Sequence, residues 1–500
     1  METLYRSTRD TANHTMTSSQ AVLQGLTPDG GLFVPVQLPK AQLDFDYLAT
    51  CSYQEVAYEV LKLFFTDYTE AELRACINAA YGDQFDDPAI APVTKHGQQY
   101  YLELFHGPTI AFKDLALQIL PHLMTTAAKK NHLTAEVVIL TATSGDTGKA
   151  AMAGFADVPQ TKIIVFYPKD GVSAIQKQQM VTQAGANTHV IAINGNFDEA
   201  QTTVKQLLND HELHEQLRAH QFQFSSANSI NIGRLFPQVA YYVYAYAQLI
   251  KQGQVKNGQT VNFSVPTGNF GDILAGYYAK QLGTPIHKLI CASNRNNVLT
   301  DFFNTGTYDK NREFFLTSSP SMDILVSSNL ERLVFYLTGS DPIATANLMH
   351  DLQTTGRYTL TPAMRAAIKD FWAGFVTEQQ DQTEIHHLFA RHHYPIDPHT
   401  AVASAVAKQY QAATRDERPM VVVSTASPYK FPQAVLGAIN QTPTAADGLT
   451  AVDQLHDLIQ VPIPATVQAL RNAPVRHKLV SEPADMGTTI KQLLNLNKEV

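Results

Sequence analysis

The 500-residue sequence has only three cysteines, Cys51, Cys76 and Cys291, odd in number and far apart. That excludes a disulfide framework and a zinc-ligand pattern, and leaves ordinary buried thiols. Positive charge is also scarce: 37 Lys and Arg stand against 45 Asp and Glu, for a formal net charge of -8. No general affinity for nucleic acid is expected from such a balance, since phosphate-backbone binding needs clustered Lys and Arg. There is no apolar run long enough to span a bilayer, so no membrane partner is expected. Met1 to Gln20 is polar, carries Glu2 and Asp10, and lacks the apolar core of a secretory signal, which predicts a cytoplasmic protein. His392-His393 and His399 have no paired acid or cysteine at ligand spacing, so they read as surface or core histidines and no metal is expected. Repeats, low-complexity tracts and long linkers are absent too.

At this length the chain exceeds what one hydrophobic core usually supports, and two or more packed units are expected. The balance of 44% hydrophobic and 16% charged residues is that of a globular protein. From Val137 onward, runs of strand length and β-branched content recur at Val137 to Thr141, Ile163 to Tyr167, His189 to Ile193, Val261 to Val265, Leu289 to Ala292 and Val421 to Ser424. Between them lie helical patterns such as Ser173 to Gln183, Phe197 to Asn209, Arg234 to Lys251 and Asp272 to Leu282. This alternation predicts an α/β fold with a parallel sheet covered on both faces. From about Phe302 to Tyr394 the pattern is mostly helical, through Ser328 to Leu337, Pro342 to Thr354, Pro362 to Phe375 and Glu384 to Arg391. The resulting division is an N-terminal domain (1–100), an α/β catalytic region (101–301), a helical insertion (302–395), and a return to the catalytic region with a C-terminal tail (396–500).

Three loops each follow a predicted strand and open a predicted helix, which is where open α/β sheets collect ligands. The first, Thr143-Ser144-Gly145-Asp146-Thr147-Gly148, offers hydroxyls and helix-terminal N–H groups suited to a carboxylate or phosphate. It is no nucleotide-binding P-loop, because two residues separate Gly145 from Gly148 and Ala150 follows Lys149 where a metal-binding hydroxyl belongs. A helix cap with a tight turn is the plainer alternative. The second, Pro266-Thr267-Gly268-Asn269-Phe270-Gly271-Asp272, sets two glycines beside a helix start, a phosphate cradle without a Walker lysine or else a structural turn. The third, Ser424-Thr425-Ala426-Ser427-Pro428, offers hydroxyls that either cap a helix or meet a ring nitrogen. Ahead of them, Lys113 ends the stretch Glu103 to Phe112, whose apolar and aromatic residues would desolvate the amine and prepare it for Schiff-base chemistry.

Taken in order, these segments resemble the threonine synthases. The Lys113 stretch is similar to their pyridoxal-lysine signature, and the second loop to their cofactor-phosphate loop. Further matches are Asp29-Gly30-Gly31-Leu32-Phe33, Asn228-Ser229-Ile230-Asn231 with Arg234, Ala292-Ser293-Asn294, Ser321-Met322-Asp323-Ile324 with Ser327-Ser328-Asn329, and Asp397-Pro398-His399-Thr400-Ala401. Length and insertion resemble the bacterial and fungal branch. One departure is Ser427, where the family commonly has histidine; another is Tyr429, in place of a small residue. The resemblance implies fold type II of the pyridoxal-phosphate enzymes, like the tryptophan synthase β subunit. It also implies conversion of O-phospho-L-homoserine and water to L-threonine and phosphate. Lys113 would hold the pyridoxal 5'-phosphate and move protons. Gly268, Asn269, Phe270 and Asp272 would position its phosphate, and Thr425 would meet the pyridine nitrogen. Ser144, Gly145, Asp146 and Thr147 would hold the substrate carboxylate, with Lys149, Asn228, Asn231 and Arg234 as anchors for its phosphate. Arg234 could equally be a surface salt-bridge partner. Two alternatives stay open: a phospho-lyase giving 2-oxobutyrate, ammonia and phosphate, and a catalytically silent binding relative. Nothing in the sequence marks an interface, so the oligomeric state stays open, with a lean to a monomer.

Overall fold

The computed structural model describes residues 2–143, 145–170, 172–208, 210–446 and 448–496. Near the N-terminus, β1 (Tyr5–Ser7) and β2 (Phe33–Pro35) form an antiparallel ribbon, followed by the hairpin β3 (Val93–His96) and β4 (Gln99–Glu103). Next come β5 (Glu136–Ala142), β6 (Thr161–Pro168), β7 (Thr188–Ile193) and β8 (Phe222–Ser225). They precede β9 (Val261–Pro266), β10 (Ile286–Ser293), β11 (Thr307–Asp309) and β12 (Arg357–Thr359). The last strands are β13 (Phe371–Phe375), β14 (Met420–Ser424) and β15 (Leu479–Ser481).

Two main sheets result. One has the order β15-β7-β6-β5-β8 and is parallel throughout. The other has the order β13-β10-β9-β14-β4-β3 and is parallel except for the β3–β4 hairpin at its edge. The central strands β9 and β14 are buried along their whole length, as continuous apolar runs covered on both faces must be. The helix Pro237–Lys251 is apolar nearly all round and correspondingly buried from Pro237 to Leu249. No helix among the described residues is long and apolar enough to cross a membrane.

The six strands expected from the sequence all form. The helical reading of 302–395 needs correction. Helix Pro362–Ala367 stops early, and Phe371-Trp372-Ala373-Gly374-Phe375 is the strand β13, paired parallel to β10. Aromatic residues favour strand and a glycine disfavours helix there, and the sheet edge at β10 supplies the partner. The segment also contains the β11–β12 ribbon, and through β13 it continues the main sheet. The boundary at 100/101 likewise falls inside β4. The expected helix Arg234 to Lys251 is divided at Pro237 into Ile232–Leu235 and Pro237–Lys251. The expected helix end at Asn209 lies outside the described residues.

Candidate active site

The strands β5, β9 and β14 run into the three loops, and the loops meet at one cavity of about 610 Å³ lined from both sheets. Lys113 enters it from the start of helix Asp114–Leu117. Its segment is stitched to the third loop: Phe112 N–H donates to the Thr425 carbonyl (2.8 Å) and Ser427 N–H to the Ile110 carbonyl (3.1 Å). Asp114 accepts from Thr109 through both its N–H (2.8 Å) and its hydroxyl (2.7 Å), which fixes the turn behind the lysine. Lys113 Nζ donates to Ser321 Oγ (3.3 Å) and lies 3.6 Å from Asp146 Oδ2. Burial pushes the amine below the ordinary lysine range, against the pull of Asp146.

His106 clamps the beginning of this segment, with ring nitrogens 2.6 Å from Asp86 Oδ1 and 3.0 Å from Glu103 Oε2. Burial opposes its charge, but the bonds to Asp86 and Glu103 outweigh burial and hold it at about 9. A pKa raised on folding contributes stability that is fully present below the unfolded value near 6.5 and is lost as pH rises through about 9. Stability should therefore fall between those values by on the order of 1–3 kcal/mol through this residue. Urea unfolding at pH 6.5 and pH 9.5 checks this. His106→Gln should flatten that slope, and an unchanged slope would remove His106 from the account.

In the second loop, Ser327 Oγ donates to the Gly268 carbonyl (2.7 Å), and Asn329 donates to the Asn269 carbonyl through both its N–H and its side-chain amide (3.0 Å each). A Cβ at Gly268 would collide with the Ser321 carbonyl oxygen, so only glycine permits this approach. Phe270 adopts φ 64°, uncommon for a bulky residue, and buries its ring against Phe303 and Phe371. It starts helix Gly271–Gln281, whose first N–H groups have no intrahelical acceptor. Asp272 Oδ1 accepts from Tyr241 (2.6 Å) and Tyr242 (2.7 Å), Oδ2 has no partner among the described residues, and burial pushes the acid up to about 6. This loop and helix start present backbone N–H groups of the kind that suit a phosphate. Asn269 is exposed, so Asn269→Glu should leave the fold intact yet place a negative charge at the cradle. Phosphate-bearing cofactor should then be lost on dialysis at least about tenfold faster. Unchanged retention would move the phosphate to another loop.

The first loop is rearranged relative to the expectation. Thr143 Oγ1 accepts the N–H groups of Gly145 and Gly148 (2.9 Å each), which commits Gly145 to the turn. Ser144 lies outside the described residues. Asp146 and Thr147 line the cavity, but the Asp146 carboxylate faces lysines: besides Lys113, Lys430 Nζ is 3.2 Å from Oδ1. Burial disfavours its charge, and Lys430 and Lys113 more than offset this, holding the acid well below the usual carboxylate range. Any carboxylate held here would meet Thr147 and the helix start, not the Asp146 side chain.

Among the expected phosphate anchors, Asn228 and Arg234 line the cavity and two others do not. Asn231 is fully buried and caps helix Ile232–Leu235, accepting from Gly233 N–H (2.8 Å) and donating to the carbonyls of Val22 (3.0 Å) and Ser226 (2.9 Å). Lys149 donates to Gln183 Oε1, outside the cavity. Arg234 is no surface ion-pair partner. It is 3% exposed, its Nη1 donates to the Ala227 carbonyl (2.9 Å), and its Nε has no partner among the described residues. Burial pulls it down to about 10, so it remains a guanidinium at neutral pH.

Sequence reasoning missed the roles of Ser321, His399 and Lys430. His399 Nδ1 is 2.7 Å from Asp397, and its Nε2 accepts from Ser321 N–H (3.1 Å), so this pair fixes the Ser321 turn beside Lys113. The two departures in the third loop are absorbed structurally. Ser427 caps the next turn by accepting from Tyr429 N–H (3.3 Å), while Tyr429 is buried and donates to the Val461 carbonyl. Thr425 keeps its place at the cavity.

Comparison with known proteins agrees with this geometry. Residues 4–81 match the family "Threonine synthase N terminus", 89–426 match "Pyridoxal-phosphate dependent enzyme", and 400–486 match "Threonine synthase, C-terminal". The chain belongs to the threonine synthase family. It is 40% identical over 435 residues to human threonine synthase-like 1, covering 84% of this chain and 58% of that protein. It is 39% identical over 445 residues to threonine synthase of Pseudomonas aeruginosa, covering 88% and 91%. The crystal structure of PLP-bound threonine synthase from Brucella melitensis superimposes with a TM-score of 0.87 at 34% identity over the full length of both chains. The fold is type II of the pyridoxal-phosphate enzymes, and the threonine synthase family is one of PLP-dependent enzymes.

Proposed function

We propose that this protein converts O-phospho-L-homoserine and water to L-threonine and phosphate, with pyridoxal phosphate held on Lys113. What supports the reading is that one cavity is lined both by the loop Gly268 to Asp272, with its helix start, and by the buried guanidinium of Arg234, which we read as two separate anion sites. A cofactor phosphate and a substrate phosphate need both. The residues present fit the cofactor: a desolvated amine, a glycine where a Cβ would collide, and a hydroxyl at Thr425.

Bound there, the cofactor supplies an electron sink for a carbanion at the substrate α carbon. Lys113, as the free amine, takes and returns protons at the substrate carbons. Ser321 and Asp146 hold its Nζ in place. Thr425 offers the ring nitrogen a neutral hydroxyl, which tempers the sink and suits elimination over transamination. Thr147 and the N-terminus of helix Asp146–Phe155 hold the substrate carboxylate. Arg234, aided by Asn228, binds the phosphate and stabilises the charge it carries away. Overall the Cγ–O bond to phosphate would break, Cγ would gain a proton and Cβ would exchange a proton for the hydroxyl of water, with Lys113 the group placed to move the protons.

Product analysis tests the proposal. The protein incubated with phosphohomoserine should release threonine and phosphate in equal amounts and show a visible cofactor band. Release of 2-oxobutyrate and ammonia would identify a phospho-lyase, and no turnover with intact cofactor a silent relative.

A further inference from the structure

Lys430 is a fully buried lysine outside the cavity lining, at the end of the short turn Pro428–Lys430 after the third loop. Burying an ammonium costs several kcal/mol unless it is paired and hydrogen-bonded. Its Nζ donates to the Thr109 carbonyl (3.0 Å) and Gln179 Oε1 (3.1 Å) and forms an ion pair with Asp146 Oδ1 (3.2 Å). Both ends of this arrangement lead to Lys113. Thr109 is the residue whose N–H and hydroxyl hold Asp114, next to Lys113. Asp146, fixed on one side by Lys430 and Gln176 (2.8 Å), takes the Ser321 hydroxyl on its other oxygen (3.1 Å), and Ser321 accepts from Lys113. Gly145 leaves room for Gln176, since a Cβ there would collide with the glutamine amide.

We propose that Lys430 is a positioning residue for the reaction, which sets the place of the carboxylate facing Lys113 and tempers the positive charge there. This rests on the reading of Lys113 as the cofactor lysine. Lys430 and Lys113 both favour the ionised form of Asp146, so the acid stays a carboxylate when Lys430 alone is lost, and it orients the Lys113 amine without taking its proton. Lys430, with Arg234, opposes a second positive charge at Lys113, while Asp146 and Asp272 favour it. His399 faces Asp146 from the Asp397 turn, and Asp114 and Lys149 complete the charged groups around the cluster.

The test uses holoenzyme of the wild type, Lys430→Met, Asp146→Asn and the double variant. Borohydride reduction and peptide mapping of the wild type come first. A label away from Lys113 would sink the underlying reading itself. With the label on Lys113, the readout is the pH midpoint of the cofactor's visible band, which reports protonation at Lys113 Nζ, together with the acidic limb of kcat. Lys430→Met should raise the midpoint by about one pH unit and Asp146→Asn should lower it by a similar amount. The double variant should fall between Asp146→Asn and the wild type, because the pull of Asp146 on Lys113 outweighs the push of Lys430. If Lys430→Met does not fold, the order of the other three decides, since the double variant leaves neither buried charge unpaired. A midpoint that is unmoved or lowered in folded Lys430→Met, or a double variant at or below Asp146→Asn, would overturn the proposal. Loss of thermal stability alone, with unmoved midpoints, would also overturn it and leave Lys430 a structural residue.

Discussion

Lys113→Ala should give a folded protein that carries no borohydride-fixable cofactor and turns over phosphohomoserine at least about a thousandfold more slowly. The fold should survive for a specific reason. Among the described residues Lys113 Nζ hydrogen-bonds to Ser321 alone and pairs with Asp146, and Asp146 keeps Lys430 as its counter-ion when Lys113 is gone. No buried charge is stranded, so the usual penalty for breaking a buried pair does not apply. The loss is chemical: the amine that would anchor the cofactor and move protons sits beside the Ser321 turn, whereas the other lysine of the lining, Lys205, comes from helix Phe197–Leu207, and His399 is tied by Asp397 and Ser321. Steady-state kinetics, the absorption spectrum and the melting temperature measured together decide the matter. A variant retaining more than about one-hundredth of the wild-type rate would put proton transfer on another group.

Much of the site could be read from the sequence because its parts are local. Lys113 with its apolar lead-in, Gly268 to Asp272, and Thr425 are each short segments at strand ends, where backbone geometry and residue type suffice to suggest a ligand. Arg234 could be named but not placed, since exposure of one side chain depends on how distant elements pack. Asn231 and Lys149 failed for the same reason: an amide that caps a helix and a lysine that bonds Gln183 have the same one-dimensional appearance as phosphate ligands. Lys430 carried no local signal at all. Its meaning comes from Asp146 and Thr109, more than 280 residues away in the chain, meeting it in the folded state. The strand β13 was missed because its pairing with β10 is non-local, and pattern alone favoured prolonging a helix.

Arg234 is where the substrate reading and a structural reading diverge most sharply. Arg234→Ala should lower kcat/KM ten- to hundredfold, roughly 1.5–3 kcal/mol, the worth of a charge-assisted hydrogen bond to a phosphate. Its burial raises the stakes in both directions. The guanidinium meets no carboxylate within ion-pair distance among the described residues, and its Nε is unpartnered, so an anion in the cavity gains a nearly undiluted interaction. The same burial means that alanine leaves a space and deprives the Ala227 carbonyl of its donor, which should cost some stability. Arg234→Lys separates these effects. It restores a positive charge but not the planar fork, so it should recover part of kcat/KM while binding phosphate less specifically. Cofactor binding should survive in both variants, because the Gly268 to Asp272 cradle is built from a different loop. Normal kcat/KM in a folded Arg234→Ala protein would remove Arg234 from substrate binding, and loss of the visible band would reassign it to the cofactor phosphate. Free phosphate, as a competitive product inhibitor, gives an independent reading. Its inhibition should weaken by the same ten- to hundredfold factor if the guanidinium meets the leaving group.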